Sequence, residues 1–188
     1  MIRQAISSDA SSAVPLMMQA FGHLAFVLTG TDDEEEAAGI LGDFFKEEAN
    51  RISFENTLVL EEGGEVVGLV ILYDGAQARR LDLPLERAAA LVSGDPRYFI
   101  STEPEESEFY LDTLSVDPCC QGRGYGSKLI EAGCELARRL GHKRVGLLVE
   151  ESNTGAKRLY ERLGFRVDYT RQIAGEGYFH MVRSLVQS

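Results

Sequence analysis

Three glycines at alternate positions stand in the stretch Gln121-Gly122-Arg123-Gly124-Tyr125-Gly126-Ser127, and they carry the strongest chemical signal in the chain. A turn that holds a phosphate needs small residues that let backbone approach the anion, amide N–H groups pointing outward, and a helix N-terminus behind them. Here the glycines remove Cβ obstruction, Arg123 adds a cation, and a helix pattern beginning near Tyr125 supplies the positive dipole end. Two other phosphate motifs fit worse. The Gly-Lys-Ser/Thr of a P-loop is absent, and a G-x-G-x-x-G pattern counted from Gly124 meets Leu129 where its third glycine belongs. Glycine-rich strand-to-helix turns also arise for packing alone, and the turn by itself does not separate the two readings.

Other groups able to do chemistry are carboxylates, a phenol and thiols. Glu108, Tyr110 and Asp112 alternate onto one face of an extended stretch, so Glu108 and Asp112 are candidate proton acceptors acting through water, or else ordinary hydrogen-bonded carboxylates. Tyr160 shares a helical face with Ala156, Leu159 and Leu163, which reads as core, and a buried phenol needs a partner for its hydroxyl. Cys119, Cys120 and Cys134 are odd in number and lack CxxC or Cys/His spacing, so they read as free thiols, with no metal site implied. His23, His142 and His180 are scattered and receive no role.

The elements that must position these groups follow from periodicity. Ile2 to Ile6 reads as a short strand, with a helix near 9–22 and a second helix over about 32–50 that starts in the acidic run Asp32-Asp33-Glu34-Glu35-Glu36. Thr57 to Leu60 and Val66 to Tyr73 flank Glu62-Gly63-Gly64-Glu65 as a hairpin. Residues 74–107 break the pattern and read as an irregular insertion on the substrate side, with a helix open as an alternative for Leu85 to Val92. A strand over Glu108 to Val116 leads into the glycine turn, and a helix runs from Tyr125 to Leu140. A strand at 144–149, a helix at 153–163 and two strands near 165–171 and 178–185, joined through Ala174-Gly175-Glu176-Gly177, complete a single mixed-sheet α/β domain over residues 1–188.

Two blocks resemble a known family. Leu114-Ser115-Val116-Asp117-Pro118 followed by Gln121-Gly122-Arg123-Gly124-Tyr125-Gly126 is similar to the Q/R-x-x-G-x-G/A signature of the GNAT N-acetyltransferases. Asn153, Ala156, Leu159-Tyr160 and Leu163-Gly164-Phe165 resemble that family's distal block. The resemblance implies a mostly antiparallel mixed sheet flanked by helices, with acetyl-CoA as cosubstrate. It implies further that a splayed fourth strand offers the Leu114, Ser115 and Val116 backbone to pantetheine, that Gly122 to Ser127 hold the pyrophosphate, and that Asn153 contacts the cofactor arm. Tyr160 matches a tyrosine that protonates, or hydrogen-bonds to, the leaving thiolate. The glutamates that serve as base in two branches of the family fall on Tyr110 and Leu148 here, so neither assignment transfers. The implied activity is direct acetyl transfer to a primary amine of a small molecule or peptide, with a non-catalytic acyl-CoA-binding module as the alternative.

Composition narrows the partners. A formal net charge of -11 disfavours a nucleic-acid backbone and suits a cationic amine. Apolar stretches such as Val66 to Tyr73 fall far short of a membrane span, and the N-terminus lacks a signal peptide's apolar region, so a cytoplasmic location is expected. Homodimer formation through an exposed sheet edge is a further expectation.

Overall fold

A computed structural model describes residues 1–173 and 175–186; Ala174 of the expected last turn, Gln187 and Ser188 lie outside the described residues. The elements are β1 (Ile2–Gln4), α1 (Ala10–Phe21), α2 (His23–Thr29), α3 (Glu34–Lys46), β2 (Thr57–Glu62), β3 (Glu65–Asp74), α4 (Ala78–Ser93), β4 (Phe109–Val116), α5 (Tyr125–Arg139), β5 (Arg144–Glu150), α6 (Thr154–Arg162), β6 (Arg166–Ile173) and β7 (Glu176–Ser184). The seven strands form one sheet in the order β1-β2-β3-β4-β5-β7-β6. Every neighbouring pair is antiparallel except β4 and β5, which run parallel.

That parallel pair is the feature that matters for function. β4 keeps its partnership with β3 along its length, from Gly68↔Val116 to Asp74↔Phe109, but meets β5 only at Phe109↔Val145 and Tyr110↔Gly146. Beyond Tyr110 the two strands part, and among the described residues one edge of β4 is left without a strand neighbour. Both faces of the sheet are covered, which is why β3 is buried at successive positions rather than at alternate ones. Leu69, Ile71 and Tyr73 pack under α1 to α4 with Leu16, Met17 and Phe45, while Val70 and Leu72 pack under α5 with Leu129, Ile130 and Cys134.

Three local expectations are revised. The first helix stops at Phe21 because Gly22 takes φ +51, and α2 follows at a new angle with Ala25, Leu28 and Thr29 buried. The second ends at Lys46, where Glu47 turns extended. Residues 78–93 of the supposed irregular insertion form a helix that runs through Pro84, because Ala78, Leu81, Leu85 and Ala89 recur at helical spacing and bury one face. Residues 94–107 of that segment do lack a regular element, and β4 starts at Phe109, one residue after the expected Glu108.

Candidate active site

The glycine turn is built for close approach by an anion. Gly122 and Gly124 adopt φ +77 and +76, a left-handed conformation that favours glycine, and a Cβ at either would meet nothing within 4 Å. Gly124 is the N-cap of α5 and offers no side chain to cap it, so the first-turn amides of Tyr125, Gly126 and Ser127 have no capping acceptor. These residues line a cleft of about 560 Å³ together with Leu114, Ser115, Val116, Gln121, Asn153 and Arg162. The Val116 carbonyl at its edge accepts from the side-chain amides of Gln19 at 3.1 Å and Gln121 at 3.2 Å. Gln121 therefore fastens the end of β4 to the turn.

Arg123 points elsewhere than expected. Its Nη1 lies 2.9 Å from Glu62 Oε2, Glu62 also accepts from the Tyr125 hydroxyl, and Arg123 is not among the residues lining the cleft. The guanidinium that does face the cleft is Arg162, at the end of α6. Its spacing of three from Leu159 and six from Ala156, both cleft residues, is the sequence signal that could have found it.

A second cavity of about 300 Å³ adjoins the cleft and shares Leu114, Asn153 and Ala156 with it. Tyr160 stands in its wall. The side chain is 8% exposed, its ring meets Phe165 edge-on at 5.8 Å, and its hydroxyl has no hydrogen-bond partner among the described residues. Burial pushes the phenol up to about 12, so it stays protonated at neutral pH and keeps a proton to donate. Asn153 uses its Oδ1 to cap α6, accepting from Ala156 N at 3.0 Å, and still reaches the wall of both spaces.

The two carboxylates expected to act as base occupy different settings. Glu108 lies outside both spaces. It is fully buried one residue before β4, with His180 Nε2 at 3.1 and 3.2 Å and the Glu105 amide donating at 3.0 Å, and its carboxylate fills the room above Gly146 where a side chain would otherwise be. Asp112 does line the inner cavity but is fully engaged: it accepts from Arg51 Nε at 2.5 Å and Nη2 at 3.2 Å, from the Tyr73 hydroxyl at 2.8 Å and from Thr113 at 2.9 Å. Arg51 is itself buried and is shared with Asp82 and Glu103. Burial pushes Asp82 up to about 6 against the pull of Arg51, with Asp112 and Glu103 raising it further.

Sequence reasoning missed Glu103, Glu150 and Tyr178, which also line the inner cavity. No local pattern marks Glu103, because the fold brings it to Arg51 across 52 positions and to Tyr110 across seven.

The sequence model of the acetyltransferase (GNAT) family matches residues 24–165. A solved structure described as an acetyltransferase superposes with a TM-score of 0.82 at 32% identity, covering 99% of this chain and 100% of that one. An N-acetyltransferase from Staphylococcus aureus Mu50 shares the fold at a TM-score of 0.79 and 21% identity, covering 97% of this chain and 99% of its own. Among curated relatives, the mycothiol acetyltransferase of Geodermatophilus obscurus is 52% identical over 52 residues, 28% of this chain and 17% of that protein. That of Mycobacterium avium is 47% identical over 70 residues, 34% and 22% respectively. The chain thus spans about a fifth of the length of the curated relatives it matches.

Proposed function

The chain belongs to the acetyltransferase (GNAT) family, and on that premise we propose that it moves an acetyl group from acetyl-CoA directly to a primary amine of a small molecule or peptide. The observation that carries this reading is the junction of the two spaces: an anion-binding cleft opens, where β4 and β5 part, onto a carboxylate-lined cavity with a buried, unpartnered phenol in its wall.

The residues fit the cosubstrate. Uncapped amides at the start of α5 and the Arg162 guanidinium suit a pyrophosphate, the free edge of β4 suits an amide-bearing arm, and the gap between the strands leads inward. When bound, acetyl-CoA supplies an acetyl thioester, activated toward an amine. The chain's own part is positional and electrostatic. Unpaired backbone N–H groups on β4 beyond Tyr110 are available to polarise a carbonyl, and the Tyr160 hydroxyl donates to a departing sulfur. An inner cavity bearing Glu103, Asp112 and Glu150 attracts a cationic acceptor. The relatives named mycothiol acetyltransferase support acetyl transfer as the chemistry, while the short matched stretch does not carry their acceptor over to this chain.

Thiol-detected release of CoA across a panel of amines and peptides tests the proposal, with wild type set against Tyr160→Phe. Amine-dependent release that falls about tenfold or more in the variant supports it. Binding of acetyl-CoA without release across the panel would instead mark an acyl-CoA-binding module.

A further inference from the structure

Removing a proton from the acceptor ammonium requires a base, and the two carboxylates foreseen in β4 are unsuited to it. Glu108 is sealed beneath the sheet contact at Gly146, and Asp112 has its lone pairs taken by Arg51, Tyr73 and Thr113. We infer that Glu103, on the segment between α4 and β4, is the carboxylate that takes this proton, held in place by Tyr110, Arg51 and Arg171. The inference rests on the acetyl-transfer reading above and assigns one step of it.

Four observations carry the assignment. Glu103 lines the same inner cavity as Tyr160. Of the three carboxylates around Arg51 it is the most exposed, its side chain 17% open against 2% for both Asp82 and Asp112. Each of its oxygens takes one bond, Oε1 from Arg51 Nη2 at 3.0 Å and Oε2 from the Tyr110 hydroxyl at 2.7 Å, which leaves each with a free acceptor site. Its backbone is clamped from β6, where Arg171 donates to the Glu103 carbonyl at 2.7 Å and the Thr102 carbonyl at 3.2 Å, so a segment without regular structure is pre-organised at this point.

Tyr110 gives the arrangement its logic. It stands where the family resemblance would put a glutamate on β4, and its phenol, pushed well up by burial and then by Glu103 and Asp112, remains a proton donor to Glu103 rather than a competing base. The carboxylate missing from the strand is delivered from the neighbouring segment onto the hydroxyl of the residue that replaces it.

The acceptor ammonium gives one proton to Glu103, which passes it to solvent. The freed amine nitrogen bonds to the acetyl carbon as the carbon–sulfur bond breaks. Tyr160 donates its proton to the departing thiolate and is restored by the second N–H proton. An ammonium and acetyl-CoA yield an N-acetylated amine, CoA thiol and one proton.

The test is the pH dependence of kcat and kcat/KM for wild type and Glu103→Gln, using the acceptor that the amine panel identifies, with thermal stability and acetyl-CoA affinity measured alongside. Glutamine keeps an oxygen for Arg51 and a side-chain group for Tyr110, so the fold should hold. The expected result is a kcat lower by about 100-fold near neutral pH, recovering roughly tenfold per pH unit on the alkaline side as free amine accumulates, with acetyl-CoA affinity unchanged. A variant that keeps the wild-type rate and profile would overturn the assignment. So would an equal loss at every pH accompanied by lowered stability, since that marks a structural role. If wild type itself transfers to no amine, the acetyl-transfer reading falls and the assignment falls with it.

Discussion

Gly146→Ala asks whether the closed end of the β4–β5 pair depends on a carboxylate packed against a bare backbone. An alanine Cβ at 146 would stand 2.6 Å from Glu108 Oε1 and closer still to Cδ and Oε2. The end of a glutamate can usually swing aside at little cost. Here it is fully buried and bound to His180 and to the Glu105 amide, so moving it leaves a buried imidazole and a buried carboxylate unpaired. Breaking such a contact costs about 3–5 kcal/mol, and crowding alone about 1–3. We expect a loss of about 3 kcal/mol in urea unfolding, or a fall in Tm of roughly 6–12 °C for a chain of this size. The companion measurement is the same substitution in a Glu108→Ala background, where space exists and exchanging glycine for alanine within a strand gains about 0.5–1 kcal/mol. The sign should therefore reverse, with a coupling energy above about 2 kcal/mol. An equal loss in both backgrounds, or under about 1 kcal/mol in the wild type, would refute the packing argument and with it the reason for setting Glu108 apart from the chemistry.

Three further outcomes are expected. Arg162→Ala should raise the KM for acetyl-CoA about five- to tenfold with little change in kcat, because an exposed guanidinium facing the cleft contributes binding to ground state and transition state alike. Glu62→Gln should release Arg123 and Tyr125 and tighten acetyl-CoA binding by about threefold at low salt, while the urea unfolding midpoint stays essentially where it is, since the Glu62–Arg123 pair is solvent-exposed. Asp82 has a folded pKa of about 6 against a usual carboxylate value near 4, so it favours the folded state when protonated and that benefit is lost as pH rises from about 4 through 6. Asp82→Asn should accordingly be more stable than wild type at pH 8, by an amount up to about 3 kcal/mol, and the gain should shrink toward pH 4. Urea unfolding at the two pH values checks it.

Much of the architecture is legible in the sequence where local patterns decide it. The hairpin around Gly63-Gly64, the turn at Gly122 to Gly126 and the amphipathic α5 each depend on residues close in the chain, and the resemblance of the two signature blocks supplied the parting of β4 from β5. What stayed hidden depends on long-range register. Glu108 finds His180 across 72 positions only because β5 and β7 pair as they do, and Arg51 collects Asp82 from α4, Asp112 from β4 and Glu103 from the segment between them. Alternation in the expected strand grouped Glu108, Tyr110 and Asp112, and Tyr110 and Asp112 do line one cavity, but it could not show that Glu108 is sealed away before β4, that Tyr110 donates or that Asp112 is occupied. The direction of Arg123 was equally unreadable, because its partner Glu62 lies in the hairpin 61 residues earlier.

The central claim is that the cleft and the inner cavity form one path along which an acetyl group passes to an amine. Incubating the protein with acetyl-labelled acetyl-CoA and the amine panel, then locating the label by mass spectrometry, tests it most directly. The account predicts label on the acceptor nitrogen in wild type and sharply less with Tyr160→Phe. Label that remains on acetyl-CoA while the protein binds it tightly would contradict the account.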